Sequence, residues 1–203
     1  MEALATPAFI LIVITSMTIL TFRDWRINAL ALALQYLAAF LMVTLSWPIG
    51  MAVTKLMVGW MAAASLALTL LRQDQPHNPA ENTASLLFRG VAGLVAIIVI
   101  FVVSPRLQAR VFPGVDLLIL QSGLTLMGMA LMQLGTNANP YLTIISLLSL
   151  ISGFEVIHAA LERSILLTGL LAIVNLGLAL VGVYFISKRI PENAQTDQEE
   201  PLK

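Results

Sequence analysis

Apolar residues along this chain come in long runs broken by short polar punctuation. A bilayer core of ~30 Å needs roughly 20 residues of helix to cross it. Seven runs approach that length, at about 5–22, 27–46, 49–71, 87–104, 116–135, 141–161 and 164–187. The breaks between them carry physical stop signals: "RDWR" after the first, "WP" at 47–48, "RQDQPHNPAENTAS" after the third, "SPRLQARVFPG" after the fourth and "TNANP" after the fifth. Proline cannot donate in a helix interior and restricts the residue before it, while Arg, Asn and Asp are costly in hydrocarbon. Only "ERS" separates the sixth and seventh runs, which predicts a tight hairpin or a broken helix. The pattern therefore predicts an all-α fold, a polytopic transmembrane helix bundle of about seven helices, six to eight at the limits. It forms one helical domain over residues 1–189, followed by a polar, acidic tail at 190–203 expected to be disordered and cytoplasmic.

Composition strengthens this picture. Hydrophobic residues make up 59% of the chain and charged ones 11%, where a soluble domain is about half apolar and a quarter charged. Mean hydropathy is +0.91. Eleven basic residues balance eleven acidic ones, so net charge argues for no nucleic acid partner. With no cysteine there is no disulfide framework, thiolate metal site or thiol catalysis. The first run opens with Met1-Glu2 and lacks the basic start and cleavage pattern of a secretory signal, so it is expected to be a retained helix.

Charge placement sets the expected orientation. With the amino terminus outside, the inner side receives Arg23, Arg26, Arg72, Arg89, Lys188, Arg189 and Lys203, and the outer side Arg106, Arg110 and Arg163. The expected location is a plasma (inner) membrane, with the carboxyl terminus in the cytoplasm. Gly59, Ala63 and Ala67 on the third run, and Ala29 with Ala33 on the second, are small residues at a spacing that lets helices approach closely.

The sixth run holds the most informative polar residues. Ser146, Ser149, Ser152, Glu155 and His158 recur every third residue, and Glu155, His158 and Glu162 fall within a narrow arc. A carboxylate at bilayer depth costs on the order of 3 kcal/mol, so Glu155 should face protein or water. At 1.5 Å per residue, Glu155 lies ~9 Å from the end of its helix, and Lys55 lies ~9 Å from the start of the antiparallel third helix. Gln121 falls at a similar level. These four, Lys55, Glu155, Gln121 and His158, form the candidate cluster, as a proton path or as a structural ion pair. Gln35 and Asn175 form a second, weaker layer near the midplane. Each has a plainer reading: Lys55 can snorkel, His158 and Glu162 can belong to the interface, and the amides can be interhelical glue. His158 and the loop residue His77 supply too few ligands for a metal, and no second histidine lies in a membrane run to complete a haem site. No glycine-rich phosphate loop or nucleophile elbow occurs, so no cofactor and no catalytic activity of its own are expected.

The stretch "NPYLTIISLLSLISGFEVIHAAL" resembles the middle helix of the small three-helix membrane subunit of respiratory complex I, through Gly153, Glu155, His158 and Ala159. The ending "LGLALVGVYFISKR" is similar to that family's last helix, and Thr54-Lys55 to an early helix of the longer E-type component of group-4 hydrogenases. The resemblance covers about residues 116–189 and implies a membrane subunit of a larger proton- or ion-translocating assembly, with other membrane subunits and the lipid bilayer as partners. The family's second carboxylate would fall near Ile173 or Asn175, and neither is acidic. Two other classes stand beside this one: a structural membrane protein in which Glu155 and Lys55 only hold helices together, and a small-solute transporter, which the thin charge inventory favours less.

Overall fold

The computed structural model describes residues 4–72, 83–137, 139–162 and 164–196. Seven helices account for nearly all of them: α1 (Ala5–Thr21), α2 (Trp25–Val43), α3 (Ile49–Leu71), α4 (Thr83–Arg110), α5 (Leu117–Thr136), α6 (Pro140–Leu161) and α7 (Ile165–Thr196). There is no strand among the described residues. Six helices are long and apolar enough to cross a membrane, and α1, with 17 residues, is a shorter apolar one. The fold is thus the expected all-α, multi-pass membrane bundle.

Short polar breaks supply the helix starts. Asp24 accepts from Arg26 N at 2.8 Å, Asp116 from Leu118 N at 2.8 Å and Asn139 from Tyr141 N at 3.1 Å, each satisfying an amide that the first turn leaves without a partner. Pro140, which has no amide to satisfy, follows Asn139 in the first turn of α6.

One boundary differs from expectation. The "SPR" at 104–106 reads as a stop, yet α4 runs through Pro105 to Arg110. Proline at 105 removes the amide that would bond the Phe101 carbonyl, and Ser104 Oγ donates to that carbonyl at 3.4 Å in its place. At the other end of the chain, α7 stays helical to Thr196, into the stretch expected to be tail. His77, Arg163 and Lys203 lie outside the described residues, as does most of the loop expected after the third run.

Helices α5 and α6 pack together most extensively, α2 lies against α1, α3 and α6, and α3 is clasped between α2 and α7. The α5–α6 contact depends on two glycines. A Cβ on Gly153 would sit 2.7 Å from the Gly123 carbonyl oxygen, and one on Gly123 would sit 2.8 Å from that of Gly153. The backbones therefore touch where side chains would hold them apart.

Two apolar cores stack along the bundle. One joins the start of α1 and α5 to the ends of α2 and α6 through Phe9, Ile12, Met42, Trp47, Leu120 and Val156. The other joins the opposite halves through Ile19, Leu32, Tyr36, Leu66, Ile145 and Ala179. Between them lie the buried polar residues Ser16, Gln35, Lys55, Ser149, Ser152, Glu155 and Asn175.

Candidate functional site

Glu155 and Lys55 meet in this polar layer. α6 descends toward the end where α3 starts, and equal distances of six residues from Leu161 and from Ile49 bring the two side chains to one depth. They form an ion pair between Lys55 Nζ and Glu155 Oε2, with side-chain exposures of only 6% and 10%. Burial of both charges makes pairing obligatory, because either alone would be stranded in a low-dielectric interior. Gly153 presses α6 against α5, and Glu155, two residues on, is directed toward α3 and α7.

The second carboxylate oxygen is also held. Asn175 Nδ2 of α7 donates to Glu155 Oε1 at 2.9 Å, and Asn175 Oδ1 in turn accepts from the Tyr36 hydroxyl at 3.3 Å. A chain of four side chains, Tyr36, Asn175, Glu155 and Lys55, thus ties α2, α7, α6 and α3 together. Tyr36 reaches Asn175 because its ring lies over Gly59, where any Cβ would overlap the ring. The small-residue stripe on α3 therefore makes room for a side chain of the site.

Asn175 was expected in a separate midplane layer with Gln35; it belongs instead to the Glu155 cluster. It lies ten residues into α7, ~15 Å from that helix start, but Cβ vectors tilt toward a helix's amino end. On the antiparallel pair α6 and α7 this leans Glu155 and Asn175 toward each other, closing the offset. Gln35 forms its own network: its Nε2 donates to Ser16 Oγ at 3.1 Å and its Oε1 accepts from Ser149 Oγ at 2.9 Å.

Gln121 is not brought into the cluster. Its Nε2 donates to Ser104 Oγ of α4 at 3.1 Å, on the far side of α5 from α3. Depth counted along a helix fixes its level and leaves its direction around the axis open. Ser104 thus serves two partners, capping the carbonyl freed by Pro105 and accepting from Gln121.

His158, one turn beyond Glu155, is half-buried and lies beside Phe154 with ring centroids 5.9 Å apart. It lines a cavity of about 30 Å³ together with Trp47, Lys55, Glu155, Thr168, Leu171 and Asn175, among others. The Trp47 indole Nε1 is buried and has no hydrogen-bond partner among the described residues. Trp47 and Thr168 carry no pattern by which the sequence alone would have pointed to them; Trp47 registers there only as part of the "WP" break.

Chemically, the arrangement holds one acid–base pair, both partners buried, with the carboxylate clamped from two sides. No protein family model, no curated protein and no solved structure matches this chain.

Proposed function

We propose that this chain is an integral subunit of a proton- or cation-translocating membrane assembly, with Glu155 as its exchangeable carboxylate and Lys55 as the counter-charge. The observation that carries this reading is the Lys55–Glu155 pair, held inside a spanning bundle and bordering a cavity. Ionisable groups at such depth are expensive, and their recurrent use is in proton and ion paths. Protonating Glu155 removes the partner of the Lys55 ammonium, so proton uptake is coupled to movement or deprotonation of a residue on a different helix. The resemblance of residues 116–189 to the small complex I subunit supports placement in a larger assembly. Asn175, at the level of that family's second carboxylate, acts here as a neutral donor to the first. The expected setting is a plasma (inner) membrane with the amino terminus outside, on the balance of basic residues at the helix ends.

Full satisfaction of the carboxylate by Lys55 and Asn175 favours a second reading, in which the pair only locks α3, α6 and α7. The double variant Lys55→Met/Glu155→Gln separates the two. It leaves no unpaired charge, and its folding can be verified by its melting temperature. The translocation reading expects proton flux in the native membrane assembly to collapse in this variant; retention of full flux in the folded double variant would assign the pair to structure alone.

A further inference from the structure

The cavity beside Glu155 differs in its two directions. Toward the end of the bundle where α6 stops and α7 starts, it is bordered by half-buried His158, Thr168 and Leu171 and by exposed Thr54. Toward the middle it meets Asn175, whose amide bonds both Glu155 and Tyr36. An amide side chain has a carbonyl acceptor and an NH2 donor but neither gains nor loses a proton in the ordinary pH range. Beyond it the Tyr36 ring presses on Gly59, and the second apolar core follows.

Trp47 lines the cavity, and its buried Nε1 donor has no partner among the described residues. Buried indole N–H groups in native structures usually have a hydrogen-bond partner, and ordered water is one that can serve. The cavity volume of about 30 Å³ exceeds the ~10–15 Å³ that one water needs, and its mainly apolar lining includes the polar side chains of Lys55, Glu155, His158, Thr168 and Asn175.

We infer that this cavity is a hydrated recess that connects the Lys55–Glu155 pair to one membrane face only, the face of the α6–α7 junction, and that Asn175 and Tyr36 close it toward the other. Water there accepts from Trp47 Nε1 and reaches the carboxylate past His158. A proton arriving by this route neutralises Glu155 and must leave again by the same opening unless the Asn175 contact breaks. The inference deepens the translocation reading by giving its carboxylate a side of access, but hydration itself is tested without measuring flux.

The chain contains no cysteine, so single thiols report cleanly. Thr168→Cys and Leu171→Cys place a thiol in the lining, Ile173→Cys places one on the lipid-exposed face of α7, and Glu162→Cys marks the α6–α7 face. Silver ion, which does not cross lipid, is applied to right-side-out and inverted vesicles in chloride-free buffer; the protein is then denatured and its remaining thiols labelled with maleimide. Because silver captures thiolates, which form in water and not in hydrocarbon, the lining thiols should lose labelling about tenfold when silver is on the Glu162→Cys side. Silver on the opposite side should leave them labelled, and Ile173→Cys should label fully in both. Lining thiols as resistant as Ile173→Cys would mean a dry cavity, and blocking from both faces would mean a through-path; either overturns the inference, and neither bears on whether Glu155 carries protons.

Discussion

Lys55 and Glu155 each depend on the other for a tolerable place in the interior. Removing one partner of a buried pair strands the remaining charge, which costs about 3–5 kcal/mol, whereas replacing both with neutral groups is close to neutral. Lys55→Met is therefore expected to lower the melting temperature of the detergent-solubilised protein sharply, and Lys55→Met/Glu155→Gln to restore most of it, the difference giving the coupling in a double-mutant cycle. A smaller, separable effect is expected at Gly59. Gly59→Ala drives a methyl group into the Tyr36 ring, a clash of about 1–3 kcal/mol, and a melting curve unchanged by it would refute the close contact. The shared depth of Lys55 and Glu155 is legible in the sequence, because residue rise and alternating helix direction suffice to match their levels. The part of Asn175 is not, because its contact depends on the lean of side chains between antiparallel helices. Gln121 shows the same limit from the other side: matched in level, it faces α4 and bonds Ser104.

At the level of helices, backbone contact between α5 and α6 fixes the direction in which α6 presents its polar residues. Gly153→Ala must push α5 and α6 apart, since the added methyl would lie against the Gly123 carbonyl and the side chains of Leu126 and Met127. That substitution is expected to destabilise the bundle by about 1–3 kcal/mol and to weaken the Lys55 contact, measured as a smaller coupling energy in the same cycle. In the sequence Gly153 reads only as part of a Gly-x-Glu pattern, and the packing that calls for glycine becomes visible once its partner Gly123 is opposite. The helix count and most boundaries follow from apolar run length and breaks. The end of α4 does not, because whether proline ends a membrane helix depends on a substitute donor for the freed carbonyl, here Ser104 Oγ. Pro105→Ala is accordingly expected to leave the helix intact and the melting temperature unchanged or slightly raised.

For the molecule as a whole, a polar layer lies between two apolar cores, and the outer surface is apolar as well. Only 11% of the apolar window of α4 and 17% of that of α7 are buried within the bundle, against 56% for α5 and for α6. Exposed side chains such as Phe88, Val91, Leu94, Ile98 and Val102 on α4 therefore require lipid or protein around them. The protein is expected to stay in the membrane pellet through alkaline carbonate washing and to be released only by detergent; release by carbonate would contradict a spanning bundle. The connection between Lys55 and Glu155 also joins residues 100 positions apart. At a synthesis rate of 5–20 residues per second, α3 emerges about 5–20 s before its carboxylate partner exists. Through that interval the ammonium must remain hydrated, which its place ~9 Å from a helix end and its flexible stem allow. Insertion therefore passes through an intermediate of three, then five, helices whose lysine is at the water's edge, and the arrival of α6 and α7 is what draws it inward and closes the bundle.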